Sequence, residues 1–384
     1  MKCRSCENVT YPVLSLGQQP LANSLLSLAS EPFASFPLKI VYCPSCSLAQ
    51  IDESVRPDAM FREYLYYSKV QTSLVESARR LVNQTAPLLN EESLVIELAS
   101  NDGYLLQFYK DKGIPVLGVD PARGPATEAE RCGIPTAQDF FTLELAQKLP
   151  KADIMHANNV LAHVPDTNDF VAGIAEVLKP TGKIIVEVPY LGNLIESGTF
   201  DTVYHEHVFY FSKKSLNILF GRHGLHIENI EHIPAHGGSL RITAGKQKGL
   251  EAFFPDSNLL GIDTLQNRTD ETARQLLAKF MELKKQGFRV WGWGAAAKAT
   301  VMMNYCGSQN DLIHAVADDA PAKVGKYIPG TGCPIVTPEE WLDEQPEYTC
   351  LFSWNYAREL RERYKDTYKG TLFTPYESRI AHVC

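Results

Sequence analysis

Apolar and polar positions follow two alternating patterns through the middle of this chain. Between residues 61 and 248, short apolar runs bounded by glycine, proline or acidic residues are followed by segments with helical spacing. The predicted strands lie at 94–98, 116–119, 136–137, 152–158 and 183–188, then at 225–233 and 239–244 with no helix between them. The predicted helices lie at 104–112, 126–131, 143–148, 170–178 and 213–223. Strands that alternate with helices form parallel sheets, so we predict an α/β fold with a Rossmann-like sheet and an antiparallel hairpin at its edge.

The pattern changes near residues 60 and 249. Residues 1–60 are rich in proline, serine and cysteine and contain few long periodic segments. Residues 249–384 open with a polar–apolar helix at 263–286 and then alternate again, with predicted strands at 289–293, 312–317 and 348–352. We therefore predict three domains, at 1–60, 61–248 and 249–384, the last being a second, C-terminal α/β domain.

Composition and charge narrow the class of protein. The 384 residues carry a net charge of −8, which argues against nucleic acid as the main partner because phosphate binding requires a positive surface. The N-terminal residues show no apolar stretch typical of a secretory signal, and no apolar run approaches the ~20 residues that cross a bilayer. We expect a cytoplasmic protein with no nucleic-acid or membrane partner, and the sequence indicates no particular oligomeric state.

Four of the nine cysteines form two matched pairs, Cys3-x-x-Cys6 and Cys43-x-x-Cys46. Each pair can offer two thiolates to one ion, and two pairs complete the tetrahedral sulfur shell that suits zinc. Four protein ligands leave no open position for catalysis, so we predict a structural Zn²⁺. Free cysteines without a metal are the alternative, and a redox role fits less well because neither pair follows a strand of a βαβ unit.

An acidic residue interrupts the first strand of the predicted sheet, and a small polar loop follows it. Glu97 lies inside the apolar strand, and Asn101-Asp102-Gly103 opens the next helix. Ligands of such sheets lie beyond the carboxyl ends of the strands, where these acids suit the cationic ammonium and sulfonium groups of S-adenosylmethionine. Gly103 would let the backbone approach the ligand closely, and Asp120, which ends the second strand, can accept two ribose hydroxyls.

Three further residues complete the predicted cofactor site. Asp139 and Phe140 follow the third strand, where they are candidates to face the adenine, and Asn159 follows the fourth. Acids at strand ends also cap helices without binding any ligand, which is the alternative interpretation of these positions. The segment has no three-glycine fingerprint, which disfavours NAD at this edge of the sheet.

A second polar cluster, Tyr204-His205-Glu206-His207, lies in an aromatic loop after the fifth strand. Histidine titrates near neutral pH, so the loop suits proton transfer, and two histidines flanking an acid also suit a metal. His163, just beyond the fourth strand, belongs to the same end of the sheet. A solvated polar loop is the alternative, but the aromatic residues around it can wall a pocket and exclude water.

Two glycine-containing segments are candidates for phosphate binding. His236-Gly237-Gly238 precedes Arg241, whose guanidinium can bind phosphate through two hydrogen bonds; a plain turn between strands is the alternative. Gly292-x-Gly294-x-x-Ala297 follows a strand and opens a helix at Lys298, a pattern that binds pyrophosphate. On its own this pattern would indicate an NAD-dependent oxidoreductase, although a nucleotide-sugar diphosphate fits it equally well.

As a set, these motifs resemble a known family: the bacterial S-adenosylmethionine-dependent sugar C-methyltransferases that act on nucleotide-linked 4-keto-6-deoxysugars, typically at C-3. The resemblance covers nearly the whole chain. It is carried by the cysteine pairs with residues 16–23, by 97–103, by Asn159 with His163, by 200–212, and by 291–298 and 325–331. It implies a class I methyltransferase sheet between a small N-terminal zinc-binding domain and a C-terminal domain that binds the nucleotide sugar.

The resemblance also implies roles for side chains at the reacting carbon. His207 is the expected base that removes the C-3 proton, while Glu206 orients it or shapes the local field and Tyr204 donates to the C-4 oxygen. A tyrosine of the N-terminal Tyr-x-Tyr-x-Ser segment would also line the sugar site, and the sequence does not choose between Tyr64 and Tyr66.

Further residues are expected to bind the nucleotide sugar. They are His163, His236, Gly237, Arg241 and Lys298. We interpret His205 as an accessory rather than the base, because the family does not fix that position. A dehydrogenase that uses the C-terminal glycine loop and a non-catalytic nucleotide-sugar-binding protein are the remaining alternatives.

Overall fold

The computed structural model describes residues 1–53, 55, 67–233, 237–248, 256–308 and 311–376. In this part of the chain the strands form three sheets. The N-terminal sheet is antiparallel in the order β1-β2-β3-β9. Its strands are β1 (Tyr11–Pro20), β2 (Ser35–Tyr42), β3 (Ala49–Ile51) and β9 (Phe209–Tyr210). The first three strands thus come from residues 1–60, and the fourth comes from the aromatic loop some 160 residues later in the chain.

Sequence patterning missed the N-terminal strands for a physical reason. β1 pairs with β2 through two register shifts, between Pro12 and Leu14 and between Ser15 and Gln18. Such bulges put an extra residue on one strand and interrupt the two-residue alternation by which strands are recognised. Buried and exposed positions therefore fall irregularly along β1.

The central sheet has seven strands in the order β10-β11-β8-β7-β4-β5-β6. Its strands are β4 (Val95–Leu98), β5 (Val116–Val119), β6 (Thr136–Ala137), β7 (Ala152–Asn158), β8 (Leu178–Pro189), β10 (His226–Ile233) and β11 (Ser239–Gly245). Strands β4 to β8 are parallel, while β10 and β11 form an antiparallel hairpin that pairs with β8. The predicted Rossmann-like sheet with an antiparallel edge is therefore confirmed.

Apolar side chains bury both faces of the central sheet. Ile96 and Met155 pack on one side, and Val95, Ile154 and Ile185 pack on the other. Parallel sheets require helices on both faces, which explains the near-continuous apolar strands. The α-helices from residue 72 to residue 222 are Thr72–Thr85, Leu106–Lys110, Arg123–Arg131, Leu143–Ala146, Thr167–Val177, Leu191–Ser197 and Lys213–Arg222.

The boundary between the helix Thr167–Val177 and β8 differs from the prediction. We expected a turn at residues 180–182 and a strand only from residue 183, whereas β8 begins at Leu178. The pairing of β7 with β8 jumps from Ala152↔Leu178 to Ile154↔Lys183, so the intervening residues form an irregularity within the strand. Proline and glycine in this stretch mark a bulge here rather than a separate turn.

The C-terminal sheet has six strands in the order β14-β15-β13-β12-β16-β17. Its strands are β12 (Val290–Trp293), β13 (Val316–Ala317), β14 (Tyr327–Ile328), β15 (Cys333–Val336), β16 (Tyr348–Leu351) and β17 (Thr371–Phe373). Its helices are Leu265–Lys285, Ala297–Cys306, Pro338–Glu344 and Ala357–Tyr364, and a 3-10 helix, Ser257–Thr264, leads into the first of them. A second α/β sheet thus lies where the sequence predicted one, although β13 is much shorter than the predicted strand at 312–317.

Among the described residues, no helix is both long enough and apolar enough to cross a membrane.

Candidate functional site

Three carboxylates lie at the carboxyl ends of β4 and β5, and we call Glu97, Asp102 and Asp120 the acidic edge. All three side chains are buried. Asp120 accepts hydrogen bonds from the backbone amides of Asn101 and Ala122, each at 2.8 Å. Asp102 accepts from the amide of Lys69 at 3.0 Å. The structure therefore brings the predicted acids together at the edge where ligands of α/β sheets lie.

Burial makes the acidic edge a place that favours a cation. The pKa of Glu97 is raised well above its ordinary value by burial and then by the nearby carboxylates of Asp120 and Asp102. Burial also raises the pKa of Asp102 and of Asp120, against the hydrogen bonds of the backbone amides. Glu97 Oε2 and Asp102 Oδ1 receive no hydrogen bond from the described residues. Buried oxygens need a partner, and a cationic ligand such as the ammonium of S-adenosylmethionine provides one.

The loop after β4 follows the conformation of a glycine-rich loop with other residues in it. Ala99 and Asn101 adopt φ values of 55° and 50°, and Gly103 has φ of 77°. A Cβ on Gly103 would lie 2.3 Å from Ile134 Cδ1, and the positive φ is a conformation that favours glycine at this position. That Gly103 also lets the backbone approach the ligand stays a prediction.

The remaining predicted cofactor residues lie around the same edge. Asp139 is exposed after β6, where its carboxylate accepts a hydrogen bond from the amide of the half-buried Phe140 at 2.8 Å. Asn159 follows β7 with φ of 53°, and its amide donates to the Glu187 carbonyl at 2.9 Å. These positions are compatible with the prediction and do not test it.

His207 is the centre of an aromatic cluster beyond the ends of β7 and β8. Its Nδ1 lies 2.9 Å from the carbonyl oxygen of Thr202, and its Nε2 lies 2.8 Å from the Tyr204 hydroxyl. The ring centroids of Tyr204 and His207 are 4.0 Å apart, and those of His163 and His207 are 4.9 Å apart. The structure thus brings together the predicted base, the predicted hydroxyl donor and the histidine that follows β7.

These contacts determine which ring nitrogen of His207 is basic. A carbonyl oxygen only accepts, so Nδ1 must carry the proton and donate to Thr202. Nε2 is then the lone-pair nitrogen, which accepts from the Tyr204 hydroxyl. His163 donates through Nδ1 to the Glu206 carbonyl at 2.7 Å, and burial lowers the pKa of His163 to about 4. His163 is therefore neutral at physiological pH, which suits a hydrogen-bonding role better than an ionic one.

Glu206 and His205 point into different surroundings. Glu206 is 7% exposed, and its Oε1 accepts a hydrogen bond from Asn23 Nδ2 at 2.6 Å. Burial raises the pKa of Glu206 to about 7, against the effect of this hydrogen bond. His205 is buried against Phe36, with its Nε2 3.3 Å from the Pro37 carbonyl. His205 therefore packs on the N-terminal sheet, which agrees with an accessory role.

The two predicted phosphate segments meet at one indole ring. A Cβ on Gly237 would lie 2.3 Å from Trp354, and Lys298 Nζ lies 4.3 Å from the centroid of the same ring. Lys298 Nζ also donates to Asn355 at 2.8 Å, and burial lowers its pKa to about 8. Lys298 thus retains a positive charge at neutral pH beside the segment after β10.

Arg241 has a different partner from the predicted phosphate. It lies opposite Glu187 across the β11–β8 pair, and its Nη2 is 2.6 Å from Glu187 Oε1. Glu231, opposite Arg241 on β10, is 3.8 Å from Nη1. Both acids are cross-strand neighbours that only the sheet register reveals. The guanidinium therefore belongs to an ion pair within the sheet.

The glycines of the C-terminal loop also have structural partners. A Cβ on Gly292 would lie 2.6 Å from the Phe352 ring, and one on Gly294 would lie 1.9 Å from Ser353 Oγ. Close packing against the end of β16 explains both glycines without a dinucleotide. The two glycines therefore do not by themselves indicate a dinucleotide.

Residues 200–208 form the loop that contains Tyr204 to His207, and we call it the histidine loop. Sequence reasoning missed a buried cluster that joins this loop to the C-terminal domain. Asp201 is fully buried and accepts hydrogen bonds from Trp354 Nε1 and the Tyr376 hydroxyl, each at 2.7 Å. Burial raises the pKa of Asp201, and the nearby Lys298 lowers it. Asp201 precedes Thr202, whose carbonyl orients His207. No local signal identifies such a cluster, because its partners lie more than 150 residues away.

The four predicted zinc ligands converge on one point. The Sγ atoms of Cys3, Cys6, Cys43 and Cys46 all lie within 4.8 Å of one another, and all four residues are buried. Tetrahedral Zn²⁺ with bonds of about 2.3 Å requires sulfur atoms roughly 3.8 Å apart, so the cluster fits the ion. Two pairs are close to that separation, at 3.4 Å for Cys6–Cys43 and 3.6 Å for Cys3–Cys46.

Both cysteine pairs lie in turns of the same shape. The amides of Glu7 and Ser47 donate to the carbonyls of Cys3 and Cys43, each at 2.8 Å. Glu7 and Ser47 have φ values of 62° and 60°. Two equivalent turns that face one another present four thiolates to a single ion, which is the arrangement of a structural zinc site.

Comparisons with known families cover the chain in three successive parts. A zinc-binding domain matches residues 3–61, a methyltransferase domain matches 67–230, and a C-methyltransferase C-terminal domain matches 234–375. With the sheet order, the acidic edge and the four-cysteine cluster, these matches define an S-adenosylmethionine-dependent methyltransferase with an N-terminal zinc-binding domain.

A relative of nearly the same length narrows the class further. C-methyltransferase NovU of Streptomyces niveus is 32% identical over 387 residues, which cover 95% of this chain and 92% of that protein. The chain belongs to this C-methyltransferase family.

Two solved structures each match less than half of the chain. Magnesium protoporphyrin IX methyltransferase of Synechocystis PCC 6803, solved with bound SAM, matches 45% of this chain and 79% of its own at 15% identity and a TM-score of 0.36. The PH0226 protein of Pyrococcus horikoshii OT3 matches 48% of this chain and 96% of its own at 16% identity and a TM-score of 0.38. The identification does not depend on these likenesses.

Proposed function

We propose that this C-methyltransferase methylates C-3 of a nucleotide-linked 4-keto-6-deoxyhexose in deoxysugar biosynthesis. One observation carries the proposal: the His207–Tyr204 pair lies beside His163 at the same end of the central sheet as the acidic edge. A base and a hydroxyl donor close to a methyl donor are what carbon methylation beside a ketone requires. The family resemblance of the sequence motifs supports the sugar substrate.

The proposed proton transfer uses the tautomer that the hydrogen bonds define. A ketone at C-4 acidifies the C-3 proton, because the resulting carbanion is an enolate. The Tyr204 hydroxyl turns from His207 to the C-4 oxygen and stabilises the developing charge as an oxyanion donor does. His207 Nε2, released from that hydrogen bond, accepts the C-3 proton and becomes an imidazolium. Nδ1 keeps its hydrogen bond to Thr202, so the ring is held in position throughout.

The acidic edge would hold the methyl donor. S-Adenosylmethionine supplies an electrophilic methyl group on a sulfonium. Glu97 and Asp102 would bind the ammonium and favour the positive charge, and Asp120 would accept from the ribose hydroxyls. Asn101 and Gly103 shape the loop, Asp139 and Phe140 would face the adenine, and Asn159 would line the cofactor site after β7. The oxygens without partners at Glu97 and Asp102 support this assignment.

The nucleotide sugar would lie between the central sheet and the C-terminal domain. Lys298, held over the Trp354 ring next to Gly237, provides positive charge for a diphosphate. His163 would hydrogen-bond to the sugar, and Glu206 would orient His207 or shape the field. Tyr64, Tyr66 and His236 lie outside the described residues and remain predictions. A thiolate zinc site suits a reducing compartment, which supports a place in the cytoplasm.

The test of this function is a substrate panel. Purified protein is incubated with S-adenosylmethionine and 4-ketosugar nucleotides that differ in sugar and base, and mass spectrometry follows the gain of one methylene. The matched 4-hydroxy sugars are the control, because they cannot form the enolate. We expect methylation of at least one 4-ketosugar and of no 4-hydroxy sugar. Solvent deuterium that enters C-3 without methyl donor would show the proton step separately.

A further inference from the structure

A short segment of the N-terminal domain contacts both the histidine loop and the C-terminal domain. We call residues 20–28 the connector. The Ala22 carbonyl accepts a hydrogen bond from Thr300 Oγ1 at 3.0 Å, and Leu26 exchanges two backbone hydrogen bonds with Tyr327 at 2.8 and 2.9 Å. Between these anchors, Asn23 Nδ2 donates to Glu206 Oε1 at 2.6 Å.

Asn23 is placed to act on Glu206 from the solvent side. Asn23 is exposed, whereas Glu206 is 7% exposed, so the amide reaches inward to a carboxylate that has lost most of its water. Its backbone cannot drift far, because Ala22 is buried and bonded to Thr300, in the helix Ala297–Cys306. A charge-assisted hydrogen bond from an anchored donor fixes the orientation of a buried carboxylate and favours its charged form.

We propose that Asn23 is a positioning residue for Glu206, holding its carboxylate in one orientation and favouring its charged form. This inference deepens the proposed function and rests on it for the catalytic meaning of Glu206. Asn23 acts through Glu206 and needs no contact with the substrate.

The physical basis is a balance between burial and one hydrogen bond. Burial raises the pKa of Glu206 to about 7, and the Asn23 amide opposes that rise. The titratable side chains nearby in the same loop are Tyr204, His205 and His207. From the segment after β7, His163 meets the loop at the Glu206 carbonyl. In the N-terminal sheet, the neutral groups of Phe36 and Pro37 contact His205.

The connector also contacts the C-terminal domain, through the hydrogen bond between Thr300 and Ala22. Thr300 lies two residues after Lys298 in the helix that would carry the diphosphate. A displacement of that helix would move Ala22 and, with it, the amide that holds Glu206. The Thr300→Val variant therefore tests whether this helix contributes to the position of the Asn23 amide.

The test measures the Glu206 carboxyl directly. Full-length, zinc-loaded protein is labelled with ¹³C at the glutamate carboxyl carbons and titrated by NMR. The resonance missing from the Glu206→Gln variant is that of Glu206. Asn23→Ala should raise the pKa of Glu206 by about one to two pH units, because a hydrogen bond to a charged group has that worth. Asn23→Asp, nearly the same size, should raise it further, since it replaces the donor with a second carboxylate.

Two variants complete the comparison. Ser24→Ala, at the exposed neighbouring position, should leave the pKa of Glu206 unchanged. Thr300→Val, which keeps the shape and removes the hydroxyl, should raise it by less than Asn23→Ala. In the methylation assay, the low-pH limb of kcat/KM should move to higher pH in the same order as the pKa of Glu206: most in Asn23→Asp, less in Asn23→Ala and least in Thr300→Val. Calorimetry with S-adenosylhomocysteine confirms that each variant keeps its cofactor site.

The outcomes separate this inference from the proposed function. If Asn23→Asp and Asn23→Ala titrate like Ser24→Ala, Asn23 does not control Glu206 and the inference is overturned. If the pKa moves as expected and no 4-ketosugar is methylated by the wild-type protein, the proposed function fails while the hydrogen-bond role stands. Because Asn23→Asp is nearly isosteric, the test does not depend on whether Asn23→Ala folds.

Discussion

The acidic edge and the histidine loop are both polar sites at one end of the central sheet, but they are built differently. Glu97, Asp102 and Asp120 lie within 24 residues of one another, and backbone amides of the same segment support Asp120. The histidine loop is supported from far away in the chain, by Asn23 and Pro37 on one side and by Trp354 and Tyr376 on the other. From this comparison we expect cofactor binding at the acidic edge to depend on contacts within one domain, whereas the proposed proton chemistry depends on contacts from three.

Loss of zinc should give the largest difference between the two sites, because it should abolish turnover and leave cofactor binding nearly intact. β9 continues directly from the histidine loop and pairs with β3, and the second cysteine pair lies in the turn that joins β2 to β3. Without the ion, four buried thiolates cannot be kept together, and the N-terminal sheet should loosen. Chelation, or Cys43→Ser, should therefore reduce turnover to background while S-adenosylhomocysteine affinity changes by only a few-fold.

Calorimetry and the methylation assay on the same sample test this expectation. Cys132→Ser, an exposed cysteine outside the cluster, is the matched control and should leave both quantities unchanged. If cofactor affinity disappears together with turnover, the acidic edge depends on the zinc domain and the comparison fails.

Substitution of the proposed base should have the next largest effect. His207→Ala removes the lone pair of Nε2, and Tyr204→Phe removes the hydroxyl that faces it. A loss of about 10²–10³-fold in kcat is expected for either, in line with the removal of an acid–base group or an oxyanion donor. S-Adenosylhomocysteine should still bind with wild-type affinity.

Steady-state kinetics with a methylated 4-ketosugar provides the measurement, and His226→Ala on the outer strand β10 is the control. Wild-type turnover in His207→Ala would refute the assignment of the base. Deuterium exchange at C-3 that survives in Tyr204→Phe and disappears in His207→Ala would sharpen it.

Glu97→Gln should have the smallest effect on turnover and the clearest effect on binding. Removing a buried carboxylate that faces a cation should weaken S-adenosylhomocysteine binding by about 10–100-fold. The same change should stabilise the ligand-free protein, because it removes a charge whose ionisation burial opposes. Glu92→Gln, at an exposed position before β4, is the control for both measurements.

The stabilisation should depend on pH in one direction. The pKa of Glu97 is raised in the folded protein, so the folded state binds its proton more tightly than the unfolded chain does. This carboxyl therefore favours folding most below its unfolded pKa of about 4.5, and the free energy of unfolding falls as pH rises through the folded pKa. Thermal unfolding from pH 4.5 upward should show a shallower decline in Glu97→Gln. An unchanged slope would show that Glu97 ionises as it does in the unfolded chain.

The elements found from the sequence are those that local patterning specifies. The strands at 116–119 and 152–158 were predicted with the bounds observed, because a parallel strand inside a sheet is a short apolar run bounded by turn residues. The two cysteine pairs were also predicted as zinc ligands, because the spacing of metal ligands within each pair is local. Strand β1 was not predicted, since two irregularities break its alternation of buried and exposed residues.

The site residues that escaped prediction share a different property. Asn23, Asp201 and Trp354 have ordinary sequence neighbours, and the side chains to which they form hydrogen bonds lie 153 or more residues away. Arg241 illustrates the converse, because its neighbouring glycines indicated a phosphate site whereas its cross-strand neighbours are two acids. Side-chain type and spacing reveal what a residue is able to do, and register decides which partner it meets.

The sequence by itself therefore determined the α/β class and the zinc ligands. It also determined that an acidic segment lies at the first strand of the central sheet and that the histidine loop follows the fifth. Each depends on residues close together in the chain, where periodicity and spacing are set by covalent geometry. Only the tertiary structure decided that Nε2 of His207 faces Tyr204, that Glu206 is buried under Asn23, and that Trp354 joins Asp201 to Lys298. These contacts arise from the packing of three sheets, and burial in that packing sets the charge states on which the proposed chemistry depends.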